Sequence, residues 1–251
     1  MDLTREQYRY FLKDFVRLTI DFSATDQSRG VGPPPLQKPV PAGGKRIDLV
    51  PVHGWKGVRN VDLTTAFAGR ASVRKFLPEP ITLDELSFLL WATQGIRSVA
   101  GASTAFRTVP SAGCRHSFET YLCVMNVQGL EEGIYRYLPL EHRLLLLSTH
   151  DDLGPKVAQA ALGQPFVGRS AVTFVWTTLP YRMEWRYGLA AHKVIAIDAG
   201  HVCQNLYLAC AAITAGTCAV AAYHQQAMDE LLGVDGEEEF TIYLAPVGKT
   251  G

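Results

Sequence analysis

Apolar positions along this chain repeat with two periods, and each predicts a different kind of element. From residue 4 to 22, Tyr8, Phe11, Leu12, Phe15, Val16, Leu18 and Phe22 fall on roughly one helical face, which predicts an amphipathic helix that needs a surface to cover. Thr82 followed by Glu85 makes a capping box, and Leu83, Leu86, Leu89, Leu90 and Ala92 continue the helix to about Gln94, with Gly95 as its stop. Strands are predicted over 120–126, 133–137, 142–148 and 171–177, the last apolar enough to be central. An alanine-rich helix, apolar on most sides and therefore buried, is predicted over 198–215 and ended by Gly216. A short strand over 217–222, a helix over 225–232 closed by Gly233, and a strand over 240–247 complete the pattern. Helices and strands mix without a strict βαβ rhythm, which favours α+β.

One stretch has neither period. Residues 28–60 contain SRGVGPPPLQKPVPAGGKRIDLVP and read as an extended arm, too long for an ordinary loop. The chain is thus divided into 1–60, an N-terminal helix and Pro/Gly-rich arm, and 61–251, a compact domain.

Composition narrows the function classes. Lys plus Arg equals 24 and Asp plus Glu equals 24. With no net charge there is no overall basic field for nucleic acid or an anionic membrane. The apolar runs are short or broken by polar residues, and the N-terminus lacks a signal-peptide core, so a soluble cytoplasmic protein is expected. The five cysteines form no CxxC pair and the histidines no HExxH, which leaves reduced core thiols and no metal site.

Four segments carry candidate chemistry. In an extended chain Arg70, Ser72 and Arg74 face one side, and two guanidinium forks with a hydroxyl suit a phosphate and a polar ring edge; a solvated charged loop is the alternative. The small residues around Pro110, Ser111, Ala112 and Gly113 let backbone approach a flat ligand, or make an ordinary turn. Arg186 and Tyr187, with Tyr181, Trp185 and His192, either line a pocket or pack as an amphipathic helix. Gln204 and Asn205 are amides within an apolar helix, needing either a ligand or neighbouring backbone as partner. Glu237, Glu238 and Glu239 read as a solvated turn.

In order, the arm leading to IDLVP, Arg70-x-Ser72-x-Arg74-x-Phe76, PITLDELSFLLWATQGI, RTVPSAG with Glu119-Thr120-Tyr121, GIYRYLPLEHRL, RYG, DAGHVCQNLYLA and LAPVGK make the chain from about residue 30 onward resemble the flavin-dependent nitroreductase superfamily. Within it, the likeness is to the SagB/ThcOx type, the azoline dehydrogenases. The resemblance implies an α+β, nitroreductase-like FMN-binding fold with a central, mostly antiparallel sheet flanked by helices, in an interlocked homodimer sharing two FMN sites. It implies that Arg70, Ser72 and Arg74 hold the phosphate and pyrimidine edge of FMN. Pro110, Ser111 and Ala112 would reach the flavin from the partner subunit, across which the arm would lie. The strand end at Ala221 and Ala222 would offer a backbone N–H to N5, and Lys249 would stand at a phosphate-binding position; Gln204 and Asn205 join the cofactor-binding candidates.

The chain departs from that pattern where Arg186 stands for the lysine of a Lys-Tyr pair, Ala221 for glycine, Ser117 for proline and His192 for arginine. Arginine keeps its proton in a protein, so Arg186 is cast as an electrostatic anchor and Tyr187 as the acid/base. Three functions follow: an FMN-dependent dehydrogenase or oxidase of azoline-type or related peptide-derived substrates, with O2 reoxidising the flavin; an NAD(P)H-dependent nitro or quinone reductase; and a non-catalytic scaffold subunit of a peptide-modifying complex.

Overall fold

The computed structural model describes residues 4–101 and 103–251. Its centre is a seven-stranded sheet in the order β1-β6-β5-β4-β7-β9-β8, every neighbouring pair antiparallel. The strands are β1 (Arg46–Asp48), β4 (Phe118–Val124), β5 (Gly133–Leu138), β6 (Arg143–Thr149), β7 (Val172–Thr178), β8 (Ala215–Thr217) and β9 (Phe240–Lys249); β2 (Ile96–Ala100) and β3 (Thr104–Arg107) form a separate hairpin.

Side chains alternate across the sheet and build a core on each face. On one face Leu122, Phe174 and Trp176 meet Leu86, Leu89 and Leu90 of α3 (Leu83–Gln94) and Ile195, Val202 and Leu206 of α7 (Ala191–Ala211). On the other, Tyr121, Cys123, Val175 and Leu244 meet α4 (Leu153–Ala160), α5 (Pro165–Gly168) and α8 (Gln225–Leu232) through Leu153, Val157, Val167, Met228 and Leu232. The flanked antiparallel sheet expected from the sequence is therefore present. Both hydrogen bonds of the Thr82–Glu85 capping box form, and Gly233 ends α8 at φ +70°.

Several boundaries differ. Helix α1 (Arg5–Leu12) stops ten residues before the helix expected over 4–22 would end, and short 3-10 turns follow at Phe15–Thr19 and Phe22–Ala24. Tyr8, Phe11, Phe15 and Leu18 are exposed, so no packing supports a longer helix, and helix propensity alone is marginal at this length. The long helix runs 191–211, not 198–215, and only one face is buried. With the preceding α6 (Tyr181–Tyr187), Tyr181–Ala211 is long and apolar enough to cross a membrane by length and composition, which the broken apolar runs did not signal; here Ile195, Val202 and Leu206 of that stretch lie in the core. The strand expected over 217–222 is split into β8 and a lone bridge between Val220 and Leu244.

The arm lies along its own chain. Its β1 pairs with β6, Arg107 donates to the Leu36 carbonyl (3.0 Å), and Arg136 donates to the Pro39 carbonyl (2.8 Å). Lys38 docks onto two buried carboxylates: its N–H donates to Glu119 (2.8 Å) and its ammonium pairs with Glu239. Glu239 also accepts from Tyr121 (2.9 Å) and Thr177 (2.7 Å), and Arg182 pairs with Glu119 at 2.5 Å. Glu239 is thus a buried hub and not the solvated turn residue expected; only Glu237 and Glu238 are exposed.

Candidate active site

The segment Arg70–Phe76 begins where α2 (Leu63–Gly69), capped by Asp62, ends. It runs extended beside β8: the Val73 amide donates to the Thr217 carbonyl (2.9 Å), Ser72 bridges Thr217 in parallel, and the Leu77 amide donates to Lys249 (2.9 Å). Arg70, Ser72 and Arg74 are exposed together while Val73 turns inward; a Cβ on Gly216 would sit 2.7 Å from the Val73 Cβ, so only glycine fits that approach. The Arg70 guanidinium lies over the Tyr207 ring (5.5 Å) and that of Arg74 over Phe166 (5.8 Å). Neither has a carboxylate partner among the described residues.

Tyr207 joins this segment to the next strand end. Its hydroxyl is 2.8 Å from the Ser72 Oγ and accepts the Ala219 N–H at 2.8 Å. Beyond Ala219, Ala221 and Ala222 are exposed and their amides make no hydrogen bond among the described residues; Gln164 donates to the Ala222 carbonyl at 2.8 Å. Lys249 does not join this group. Its ammonium is committed to Glu85 and to the Ile213 carbonyl (2.8 Å).

A second group forms around Pro110–His116. The Ala112 amide donates to Asp198 of α7 (3.2 Å), whose carboxyl is pushed upward by burial against the hydrogen bonds from Ser111 and Ala112. Gly113 has φ +56°, and a Cβ there would lie 2.7 Å from the Tyr187 hydroxyl and 2.8 Å from Arg186 Nε. The turn and the Arg186-Tyr187 pair are therefore in contact within one chain. Arg186 lies over the Tyr187 ring (5.5 Å) and donates to Gln27 (3.2 Å); Arg115 lies over Trp185 (5.2 Å). His116, at φ +46°, is held neutral by burial, which takes its pKa to about 3.

Two hollows adjoin this group. One of about 740 Å³ lies between residues 53–61, α3 and α7, and includes Trp55, Trp91 and Asn205. It shares Arg97 and Thr108 with one of about 360 Å³ that holds Pro110, Ser111, Cys114 and His116. Asn205 donates to the Ala92 carbonyl (2.8 Å), so backbone satisfies it. Gln204 is exposed, contrary to the buried amide expected, because one residue turns a helical side chain by roughly 100°.

Asp198 touches the second group and Tyr207 the first. They are nine residues apart on α7, which places them on opposite sides of the helix and roughly 13 Å apart along its axis. Tyr207, Asp198 and Gly113 were inside recognisable motifs, yet their roles come from partners distant in sequence. The one local signal was a tyrosine hydroxyl in an otherwise apolar helix, which needs a partner.

Residues 67–249 match the Nitroreductase family. The chain belongs to that family. A Methanocaldococcus jannaschii protein assigned to the nitroreductases is 32% identical over 192 residues, covering 76% of this chain and 93% of its own. The trifolitoxin-processing protein TfxB of Rhizobium leguminosarum bv. trifolii is 28% identical over 141 residues, 53% of this chain; that match spans only 38% of TfxB. The fold likeness reaches the whole chain in the Escherichia coli microcin synthetase McbBCD complex with truncated pro-MccB17 bound, where one chain covers 100% of this protein and 98% of its own length at TM-score 0.61 and 16% identity. The nitroreductase fold and oxidoreductase class follow from this membership.

Proposed function

We propose that this nitroreductase-family oxidoreductase binds FMN and acts as a dehydrogenase or oxidase on azoline-type or related small, peptide-derived heterocycles. The observation that carries the flavin reading is the donor set of the first group. Among the described residues Arg70 and Arg74 carry two charges without carboxylate partners, Ser72 stands between them, and amides without an acceptor follow at Ala221 and Ala222. That set matches a dianionic phosphate beside a flat ring with acceptor atoms on its edge. Bound FMN would supply a two-electron hydride acceptor.

The chain's own residues would do the rest. Arg70 and Arg74 neutralise the phosphate, and a fixed guanidinium near the ring edge favours its reduced, more negative form. Tyr187 moves a proton at its phenolic oxygen, while Arg186, which stays charged, steadies the anionic side of that exchange. Lys249, engaged by Glu85 and the Ile213 carbonyl, would take no direct part in holding the phosphate.

In a single chain the two groups lie on opposite sides of α7, too far apart for one ring to touch both. This supports a homodimer in which the Pro110–Ala112 turn of one copy faces the Arg70–Arg74 segment of the other. The peptide-derived substrate class is supported by the likeness to TfxB. O2 would take the electrons and reoxidise the flavin, whereas NAD(P)H would be the electron donor in the reductase alternative.

The test is anaerobic mixing of the purified yellow protein with thiazoline and oxazoline peptides. Bleaching of the flavin is expected, with recovery on admitting O2. Bleaching by NADPH or NADH alone, with every azoline inert, would replace this reading by a nitro or quinone reductase. A colourless protein that FMN cannot reconstitute would leave the scaffold role.

A further inference from the structure

We infer that Tyr207 is a positioning residue that fixes the direction of the Ser72 hydroxyl and so turns Ser72 into a hydrogen-bond donor toward the cofactor. This rests on the flavin reading above. Three pieces of chain meet at the Tyr207 oxygen: its own helix, Ser72 at 2.8 Å, and the Ala219 amide at 2.8 Å.

The amide can only donate, so it occupies a lone pair of the phenol. The remaining contact needs one proton, from either hydroxyl. Two arguments assign it to Tyr207. The Arg70 guanidinium 5.5 Å from the ring centroid draws electron density from the phenol, which makes its O–H a better donor and its oxygen a poorer second acceptor. Were Ser72 the donor, the phenolic proton would need a third acceptor, and no other hydrogen bond of that hydroxyl is present among the described residues. Tyr207 therefore donates to the Ser72 Oγ. The Ser72 proton is left to point to the open side, where Arg70 and Arg74 stand.

The same oxygen anchors Ala219 at the start of the segment that exposes the Ala221 and Ala222 amides. One hydroxyl thus sets the donors on both margins of the proposed cradle.

The experiment is a double-mutant cycle on the full chain, reading the affinity of the apoprotein for FMN by quenching of flavin fluorescence. Tyr207→Phe keeps the ring and its stacking on Arg70 and removes one oxygen. It is expected to weaken FMN roughly tenfold, as is Ser72→Ala, and the double variant is expected to fall well short of the roughly hundredfold that independent losses would give, any loss beyond Ser72→Ala measuring the Ala219 anchor. Losses that multiply, or a Tyr207→Phe that binds FMN like the parent, would overturn the inference while leaving the flavin reading intact. A parent protein that takes up no FMN overturns both. If Tyr207→Phe does not fold, amide exchange in the parent carries the test: the Ala219 N–H exchanges slowly with and without FMN, and rapid exchange in both states refutes the anchor.

Discussion

Lys38 and Arg74 are both cations on extended chain beside the central sheet, yet they sit in opposite electrostatic situations. Lys38 belongs to a buried network in which Glu119, Glu239 and Arg182 balance one another and Tyr121 and Thr177 fill the remaining acceptor sites. Arg74 and Arg70 have aromatic faces beneath them and no carboxylate partner among the described residues. The first arrangement is complete without any other molecule and holds the arm to the sheet. The second is complete only with an anion from outside. Two cations stand in each of these groups; what separates fold from function is where the counter-charge comes from.

The sharpest way to break this contrast is to remove a counter-charge from the closed network. Glu239→Ala leaves the Lys38 ammonium and two buried hydroxyls without their acceptor, and a loss of about 3–5 kcal/mol of stability is expected in urea unfolding. FMN affinity of the protein that remains folded should be little changed.

Next in size is a pH effect at His116, whose carbonyl accepts from Arg182 of the closed network. The folded pKa of His116, about 3, is below the unfolded value, so the unfolded chain takes up a proton that the folded chain refuses. Its contribution is whole above about pH 6.5 and is lost as pH falls toward 3, with a slope of up to about 1.4 kcal/mol per pH unit. His116→Asn, which tolerates the positive φ, should flatten that part of the stability curve between pH 6 and 4.

On the open side, Arg74→Ala should do the reverse of Glu239→Ala. Stability changes by no more than about 0.5 kcal/mol, while FMN binding weakens by about 1.5–3 kcal/mol, roughly ten- to a hundredfold, in a flavin titration. A drop in stability as large as that of Glu239→Ala would erase the distinction between the regions. The smallest effect belongs to the exposed Gln204: Gln204→Ala is expected to move neither unfolding nor flavin affinity measurably.

The sequence made legible what short-range chemistry decides. Thr82 and Glu85 cap a helix because both partners lie within one turn, and β4, β5, β6, β7 and β9 stand within a residue or two of where alternating apolar residues put them. It hid what depends on distant partners. Glu239 reads as one of three solvated glutamates until Tyr121, 118 positions away, is seen to donate to it. The α1 stripe promises a longer helix only if something covers it. Arg70, Ser72 and Arg74 do share a side, as an extended chain requires, but the hydroxyl that ties Ser72 in place is 135 residues further on. Gln204 and Asn205 differ by a single helical step, which spacing alone could not apportion between solvent and backbone.

The three-residue strand of the arm has one more consequence. Arg46, Ile47 and Asp48 occupy the outer rim of β6, whose centre is four consecutive leucines, Leu144–Leu147. An uncovered rim of that kind is a template for strands of other molecules. Shielding it, with Arg46 and Asp48 turning charge outward, makes the arm a guard against clumping as well as a brace.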